Sequence, residues 1–339
     1  MEALLIIPLV LSFFLTFFIL PPWIKKAGVI GFKWEDMNKT DRREVAGGGG
    51  ISVVTGFIFG VLIYIAIQTF YFNSAENIIE IFAMISSILI LGFIGLIDDM
   101  FGWQHGGLSK KFRVIMCLLA SIPLVVINAG TSAISVPFIE GINLGLIYPL
   151  VVIPIGITGA ATTFNFLAGF NGLEASQGIL LIASLAVVNY YTGNIWLVII
   201  CLVMVASLLA FWVFNKYPSK VFPGDSLTYS IGGLIAIIAI LGNIERITVF
   251  FFIPYIFETV LKVRGGLKKQ SFGKVNEDGS LGLPYEKIYG LEHLAIYIIK
   301  KMKKSGRAYE REVVYLILFF QMGIIVLGFI LFNKSIFGI

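Results

Sequence analysis

The residues able to do chemistry fall in four short motifs and one basic loop. In LGFIGLIDDMFGW, Asp98 and Asp99 stand side by side at the end of an apolar run. A negative pair at a helix C-terminus opposes the macrodipole, so it requires a cation, a basic partner or full solvation. In FNFLAGFNGLEASQG, Asn165 and Asn171 flank a Gly-bearing turn. An Asn side chain both donates and accepts, which suits a nucleobase edge or a metal shell, and equally a polar turn. Gly169 and Gly172 allow close backbone approach to a ligand, and Glu174 adds a carboxylate to the same loop. In NKYPSKVFPGDSLTYSIGG, Gly224–Asp225–Ser226 precedes another apolar run. Asp225 reads either as an N-cap or as a metal or phosphate site at a helix N-terminus.

The remaining groups are basic or glycine-rich. DMNKTDRREVAGGGGIS contains Asn38, Lys39, Arg42, Arg43 and the run Gly47–Gly50. The glycines read as a phosphate-wrapping nest or as a flexible linker, and the cations as phosphate partners or topology determinants. Lys262, Arg264, Lys268, Lys269 and Lys274 share one later loop. Diphosphate binding and attraction to an anionic leaflet both call for such groups. His105 and His293 stand alone, without metal-ligand spacing, and are read as non-ligands.

The elements that hold these residues are apolar. Of 339 residues 58% are hydrophobic and 13% charged, and mean hydropathy is +0.93. Soluble domains carry about 25% charge, so a water-soluble fold and a disordered chain are both excluded. The sequence predicts an all-α polytopic membrane protein, one integral unit over 1–339, with about ten spans. They lie near 3–22, 51–72, 78–97, 112–128, 146–164, 178–192, 196–214, 227–242, 247–262 and 313–333. The opening MEALLIIPLV lacks a basic n-region and reads as a retained span. Cys117 and Cys201 lie in apolar runs and form no disulfide framework.

Orientation follows from the basic residues. The loops 24–50, 98–113, 165–177, 215–226 and 262–312 hold all but Arg246 and Lys334 of the 25 Lys and Arg. The positive-inside rule makes these loops cytoplasmic and both termini external. It also accounts for the net charge of +5 without nucleic acid. The candidate residues all fall on that side, which suggests a site at the cytoplasmic membrane surface of a multi-pass protein. In the 262–312 loop, SFGKVNEDGSLGLPY reads as a hairpin turning at Asp278–Gly279. Pro284 suits the first turn of a following helix. Leu291, Leu294, Ala295 and Ile298 recur at helical spacing ahead of Lys300, Lys301, Lys303 and Lys304, as in an amphipathic helix lying on a leaflet. Three carboxylates, two Asn and a basic loop on one face suit Mg²⁺ and a diphosphate beside a lipid.

With these motifs in order, the chain resembles the polyprenyl-phosphate N-acetylhexosamine-1-phosphate transferases. DMNKT, GFIGLIDD, NFLAGFNGLEASQG and NKYPSKVFPGD appear in that family's order. The form NFLAGFNGLEA resembles the dolichyl-phosphate GlcNAc-1-phosphate transferase branch more than the bacterial MurNAc-pentapeptide branch. The resemblance implies a metal site on Asp225 and Asn165, holding Mg²⁺ with Mn²⁺ as substitute. It implies Asn171 at the uracil edge, Phe222 stacked on uracil, and Asp98 and Asp99 as the catalytic pair. Lys111 is the nearest counterpart of a phosphate-contacting Lys, with Arg113 as alternative. The family's basic triplet has no clean match here; Lys268 and Lys269 are nearest, with Arg264 beside them. Asn38, Gly169 and Glu174 complete the substrate-side set.

The implied reaction moves GlcNAc-1-phosphate from UDP-GlcNAc to a polyprenyl (dolichyl) phosphate and releases UMP. The implied partners are a UDP-sugar and that lipid, with no nucleic acid and with a homodimer left open. The same transfer from a different UDP-N-acetylhexosamine is one alternative. A cation-coupled transporter is another, although it would hold ionisable groups near the bilayer midplane. Here Glu80 and Glu258 are the main charges within spans, both near ends. A non-catalytic lipid-binding scaffold is the third, and it predicts no divalent-metal dependence.

Overall fold

Apolar periodicity and the demand that every buried amide be satisfied produce a helical protein. The computed structural model describes residues 3–136 and 139–338; the side chains of 103–105 and 133–142, and so His105, lie outside the described set. Among the described residues seven helical segments are long and apolar enough to cross a bilayer. They contain α1 (Ile7–Ile30), α2 (Gly50–Phe70), α3 (Ile78–His105), α7 (Leu173–Tyr191), α8 (Ile195–Asn215), α9 (Gly224–Gly242) and α13 (Glu310–Leu331).

The other three expected spans are short or broken. The run at 112–128 divides into α4 (Lys110–Ala120) and α5 (Ile122–Val126), with Pro123 in the first turn of α5. The run at 146–164 is a π-helical stretch, Tyr148–Val152, continuing into α6 (Ile153–Phe164). The run at 247–262 divides into α10 (Glu245–Phe251) and α11 (Ile253–Arg264), with Pro254 at the restart. Proline lacks the N–H that would continue the ladder, which accounts for the two breaks.

Helix α9 is the most enclosed span and packs against α3, α6 and α2. Small residues allow that approach. A Cβ on Gly95 of α3 would sit 2.4 Å from the Asp225 carbonyl carbon and the Ser226 nitrogen. A Cβ on Gly50 of α2 would sit 2.4 Å from the Leu227 nitrogen. Two helices thus press on the backbone of the first turn of α9 through glycines.

Three short hairpins decorate the bundle. β1 (Lys33–Glu35) pairs antiparallel with β2 (Glu44–Ala46), with Trp34 opposite Val45. β3 (Ala133–Val136) pairs with β4 (Ile139–Asn143). β5 (Lys274–Val275) pairs with β6 (Leu281–Gly282) around the expected Asp278–Gly279 turn, where Gly279 has φ +75°. Of the three, the sequence predicts the last.

The helix after that hairpin differs from expectation in two ways. Pro284 does not open it; α12 runs from Leu291 to Met302, and α14 (Asn333–Phe337) ends the described chain. Its stripe of Leu291, Ala295, Ile296 and Ile299 is buried, and α12 packs on α11, α13 and β6. The apolar face is therefore spent inside the protein, while Lys300, Lys301 and Lys304 are exposed.

His293 of α12 is fully buried and accepts at Nδ1 from the Tyr289 N–H (3.4 Å). Burial, then the Lys262 ammonium, hold its imidazole down to about 4. A His lowered from its free value of ~6.5 contributes stability above pH 6.5 and loses it as pH falls toward 4. Glu292 beside it is pushed the other way by burial and by Glu258, so the test is a difference. Between pH 7 and 4.5 the wild type is expected to lose on the order of 2 kcal/mol relative to His293→Gln, read from thermal midpoints in detergent. Parallel pH curves would show that the imidazole is not held neutral.

Candidate active site

The two adjacent aspartates do not end their helix. α3 continues to His105, so Asp98 and Asp99 lie well before its last turn, where the end of the macrodipole acts weakly. Both are buried, at 2% and 7% exposure, and each has its own source of compensation. Asp99 accepts from the Asp225 N–H (Oδ1, 2.7 Å) and the Ser226 N–H (Oδ2, 3.3 Å). It caps α9 from another helix, supplying the acceptors that the first turn lacks. Gly224 makes room for it: a Cβ there would sit 2.2 Å from Asp99 Oδ2, and φ is +71°.

Asp98 pairs with Arg113 of α4, whose Nε lies 2.6 Å from Oδ2. It also accepts from the Leu108 N–H (2.7 Å) and the Tyr229 hydroxyl (3.3 Å). Arg113 Nε is within 2.9 Å of the Leu108 carbonyl, and its Nη1 lies 3.8 Å from Asp225 Oδ2. One guanidinium therefore spans both carboxylates.

These groups line a cavity of about 750 Å³, within the range of small-molecule sites. The cavity collects Lys33, Trp34, Asp36 and Met37 from β1 and the turn after it, and Asp98 and Asp99 from α3. Arg113, Asn165, Gly169, Glu174, Phe222, Asp225, Gln270 and Phe272 belong to the same wall, with Glu35, Phe170, Asn215 and Thr228. Gly169 has φ +101°, and a Cβ would press on the Phe272 ring at 2.8 Å. Its N–H donates to Glu174 Oε1 (2.8 Å), while Glu174 Oε2 is buried without a partner.

Among the described residues the Asn165 side chain makes no hydrogen bond, and the Asp225 carboxylate faces that of Asp98 at hydrogen-bonding distance besides its long Arg113 contact. An amide with a free oxygen and a carboxylate crowded by a second one, in one cavity, fit a hard divalent cation. Within that same described set no three His, Cys, Asp or Glu are grouped to hold a metal alone. Phosphate and water would have to complete such a shell. The helix N-terminus itself is not open to phosphate, because its Asp225 and Ser226 N–H groups are given to Asp99.

Several expected site residues lie elsewhere. Lys111 is exposed and does not line the cavity; Arg113, two residues on, takes the inward position. Asn171 is also outside the lining: its Nδ2 donates to Asp36 Oδ2 (3.0 Å). Asn38 is buried and joins loops, donating from Nδ2 to the Gly169 carbonyl (2.8 Å) and accepting at Oδ1 from the Gly273 N–H (3.1 Å). Lys268 is exposed, Arg264 lies over the Tyr289 ring, and Lys269 Nζ lies 4.5 Å from the Tyr285 ring centroid. None of the three lines the cavity, whereas Gln270 and Phe272 beside them do.

The glycine run is not a free linker, and Gly48 of it lines the cavity. Gly49 and Gly50 donate to the carbonyls of Phe222 (2.9 Å) and Pro223 (2.8 Å), fixing the segment that carries Phe222 and Asp225. Sequence reasoning missed Lys33, Trp34, Asp36 and Met37, although Asp36 opens the DMNKT motif. It missed Gln270 and Phe272, which carry no motif.

Comparison with known proteins adds lineage to this geometry. Residues 81–243 match the family model described as glycosyl transferase family 4. A protein of Saccharolobus solfataricus is 36% identical over 92% of both chains. It carries the name UDP-N-acetylglucosamine–dolichyl-phosphate N-acetylglucosaminephosphotransferase, by assignment. One of Sulfolobus acidocaldarius assigned the same name is 34% identical over 74% of this chain and 75% of its own. The chain belongs to the polyprenyl-phosphate N-acetylhexosamine-1-phosphate transferase family. A phospho-N-acetylmuramoyl-pentapeptide-transferase of Clostridium perfringens is 32% identical over 62% of this chain and 67% of its own.

Because Arg113 bridges Asp98 and Asp225, a point charge cannot replace its fork. Arg113→Lys is expected to lower family-type transfer at least about tenfold, while Lys111→Ala changes it less than about twofold. Equal loss in both variants, measured as lipid-linked product, would sink the placement of Arg113.

Proposed function

We propose that this protein transfers GlcNAc-1-phosphate from UDP-GlcNAc to dolichyl phosphate, releasing UMP and forming a lipid-diphosphate sugar. The observation that carries the reading is one cavity in which the Asp225 carboxylate and the Asn165 amide stand beside the Arg113 fork. The relatives' names supply the sugar and the lipid.

In the reaction an oxygen of the lipid phosphate attacks the sugar-linked phosphorus, and the bond from that phosphorus to the UMP oxygen breaks. Transfer of this kind asks mainly for positioning and charge neutralisation. Arg113 has N–H groups left after its contact with Asp98, and these serve phosphate oxygens. Asp98 holds that guanidinium in place. Near pH 7 a phosphate monoester is largely dianionic, with a second pKa of about 6, so the acceptor needs no strong base. Asp99 acts through the backbone: by capping α9 it fixes the direction of Asp225. Phe222 offers a ring to a nucleobase. Asp225 and Asn165 are the residues that would hold Mg²⁺, or Mn²⁺ in its place; the bound ion would offset the diphosphate charge.

The reading includes an orientation. The chain crosses the bilayer ten times, counting the broken helices, with the cavity at the cytoplasmic face and both termini outside. The one-sided distribution of Lys and Arg supports it.

The test is one assay of purified protein with dolichyl phosphate and a panel of UDP-sugars, with and without Mg²⁺. UMP release is expected with UDP-GlcNAc only when lipid and metal are both present. Asp225→Ala is expected to reduce it at least about 100-fold with an unchanged thermal midpoint. Full activity in that variant would refute the metal assignment. Uptake of UDP-sugar into liposomes without any lipid acceptor would favour a transporter instead.

A further inference from the structure

The loop that carries Asn165 and Gly169 is tied to the far end of the chain by a buried ionic network. Glu310, the first residue of α13, is 4% exposed. Its Oε1 accepts from the Asn171 N–H at 2.8 Å. Its Oε2 pairs with Lys39 Nζ. Lys39 Nζ also lies 3.4 Å from Asp36 Oδ2, which accepts from Asn171 Nδ2. The ring closes on itself: Asn171, Glu310, Lys39, Asp36 and back to Asn171. Every member is 9% exposed or less. Burial pulls the Lys39 ammonium below its usual value, and Asp36 partly offsets this.

Only one member of this ring, Asp36, reaches the cavity wall. The other three do not line it, yet together with the neighbouring Asn38 they join three segments that do. These are the turn after β1, the 165–174 loop and, through Asn38 and Gly273, the segment before β5. A loop joined by a backbone hydrogen bond to a buried carboxylate on a bilayer-length helix cannot shift without either leaving that acceptor or pulling on the charge pair it makes. Leaving one charge of such a pair uncompensated is strongly unfavourable.

We propose that Glu310 and Lys39 are positioning residues for the UDP-sugar. They set the 165–174 loop against the turn after β1, so donor binding depends on them more than the transfer step does. The proposal rests on the transferase reading above for the identity of the donor.

Glu310→Ala removes the acceptor for the Asn171 N–H, whereas Glu310→Gln keeps an acceptor oxygen and loses the charge. Lys39→Met leaves two buried carboxylates facing one another. The double variant Lys39→Met/Glu310→Gln removes that conflict and serves should a single variant fail to fold. Glu312→Gln is the control, since Glu312 sits in the same helical turn but pairs with Lys303 (2.7 Å).

The measurements are transfer kinetics and UDP-GlcNAc affinity by calorimetry on full-length protein in detergent with Mg²⁺. Glu310→Ala is expected to raise KM and Kd at least about tenfold, with kcat within about threefold of wild type. Lys39→Met is expected to bind more weakly than the double variant, and Glu312→Gln to match wild type. A fall in kcat at unchanged KM, or an unchanged Kd in Glu310→Ala, overturns the proposal. Wild type that binds UDP-GlcNAc but transfers nothing to dolichyl phosphate overturns the transferase reading instead, and the binding arm then decides the positioning role alone.

Discussion

The carboxylate of Asp99 on the first amides of α9 is the contact on which the cavity depends. It joins the side of one long helix to the start of another, at a level where three helices meet. Asp225 follows directly from that start, so its direction is inherited from the cap. The cap requires an approach that only glycines allow. Gly95 on α3, Gly50 on α2 and Gly224 at the junction each leave out a Cβ that would collide with backbone or with Asp99 itself. A charge in an apolar setting persists only when its hydrogen-bonding capacity is met. Here helix N–H groups meet it, and they are withdrawn from direct phosphate binding by the same act.

The cavity then divides between two kinds of ionic anchor. At one end Arg113 ties α4 to Asp98 and Asp225, so the cation faces groups that reach the substrate space. At the other end Lys39 ties Asp36 to Glu310 behind the wall. The first anchor places charge where a diphosphate is handled, and the second places backbone. The second is buried with its partners and the first is half-buried around the buried Asp98, so each resists small displacement, and the loops between them are held without regular structure of their own.

Much of this was legible in the sequence, in proportion to how local the cause was. Apolar runs announced the helices, and turn residues announced the 274–282 hairpin. The aspartates, Asn165, Phe222 and Gly169 carried motifs that brought them to one cavity. Direction was not legible. Lys111 and Arg113 are two residues apart on one helix, about 200° around its axis, so one faces the cavity and the other solvent. Asn171 and Asn38 have residue types suited to a ligand, but both serve neighbouring backbone and side chains. Glu310 carries no motif at all. It is one of two acids at the start of an apolar run, and only the folded chain brings it rather than Glu312 within reach of Asn171.

The breaks in the spans follow the same logic. Among the helices expected to cross the bilayer, those that run unbroken include α2, α3 and α9, which form the frame around the cap. Those that are short or interrupted are α4 with α5, α6, and α10 with α11. α4 carries Arg113, α6 ends at Asn165, and α11 leads into the segment holding Gln270 and Phe272. Irregular backbone at membrane depth is tolerated where it is buried in protein or lines a polar cavity. Pro123, Pro154 and Pro254 stand at the first turns of α5, α6 and α11. The prolines that break two of these spans, and Pro154 at the start of α6, therefore occur in the spans that bring polar groups to the cavity, while the frame that must not move keeps its hydrogen-bond ladders whole.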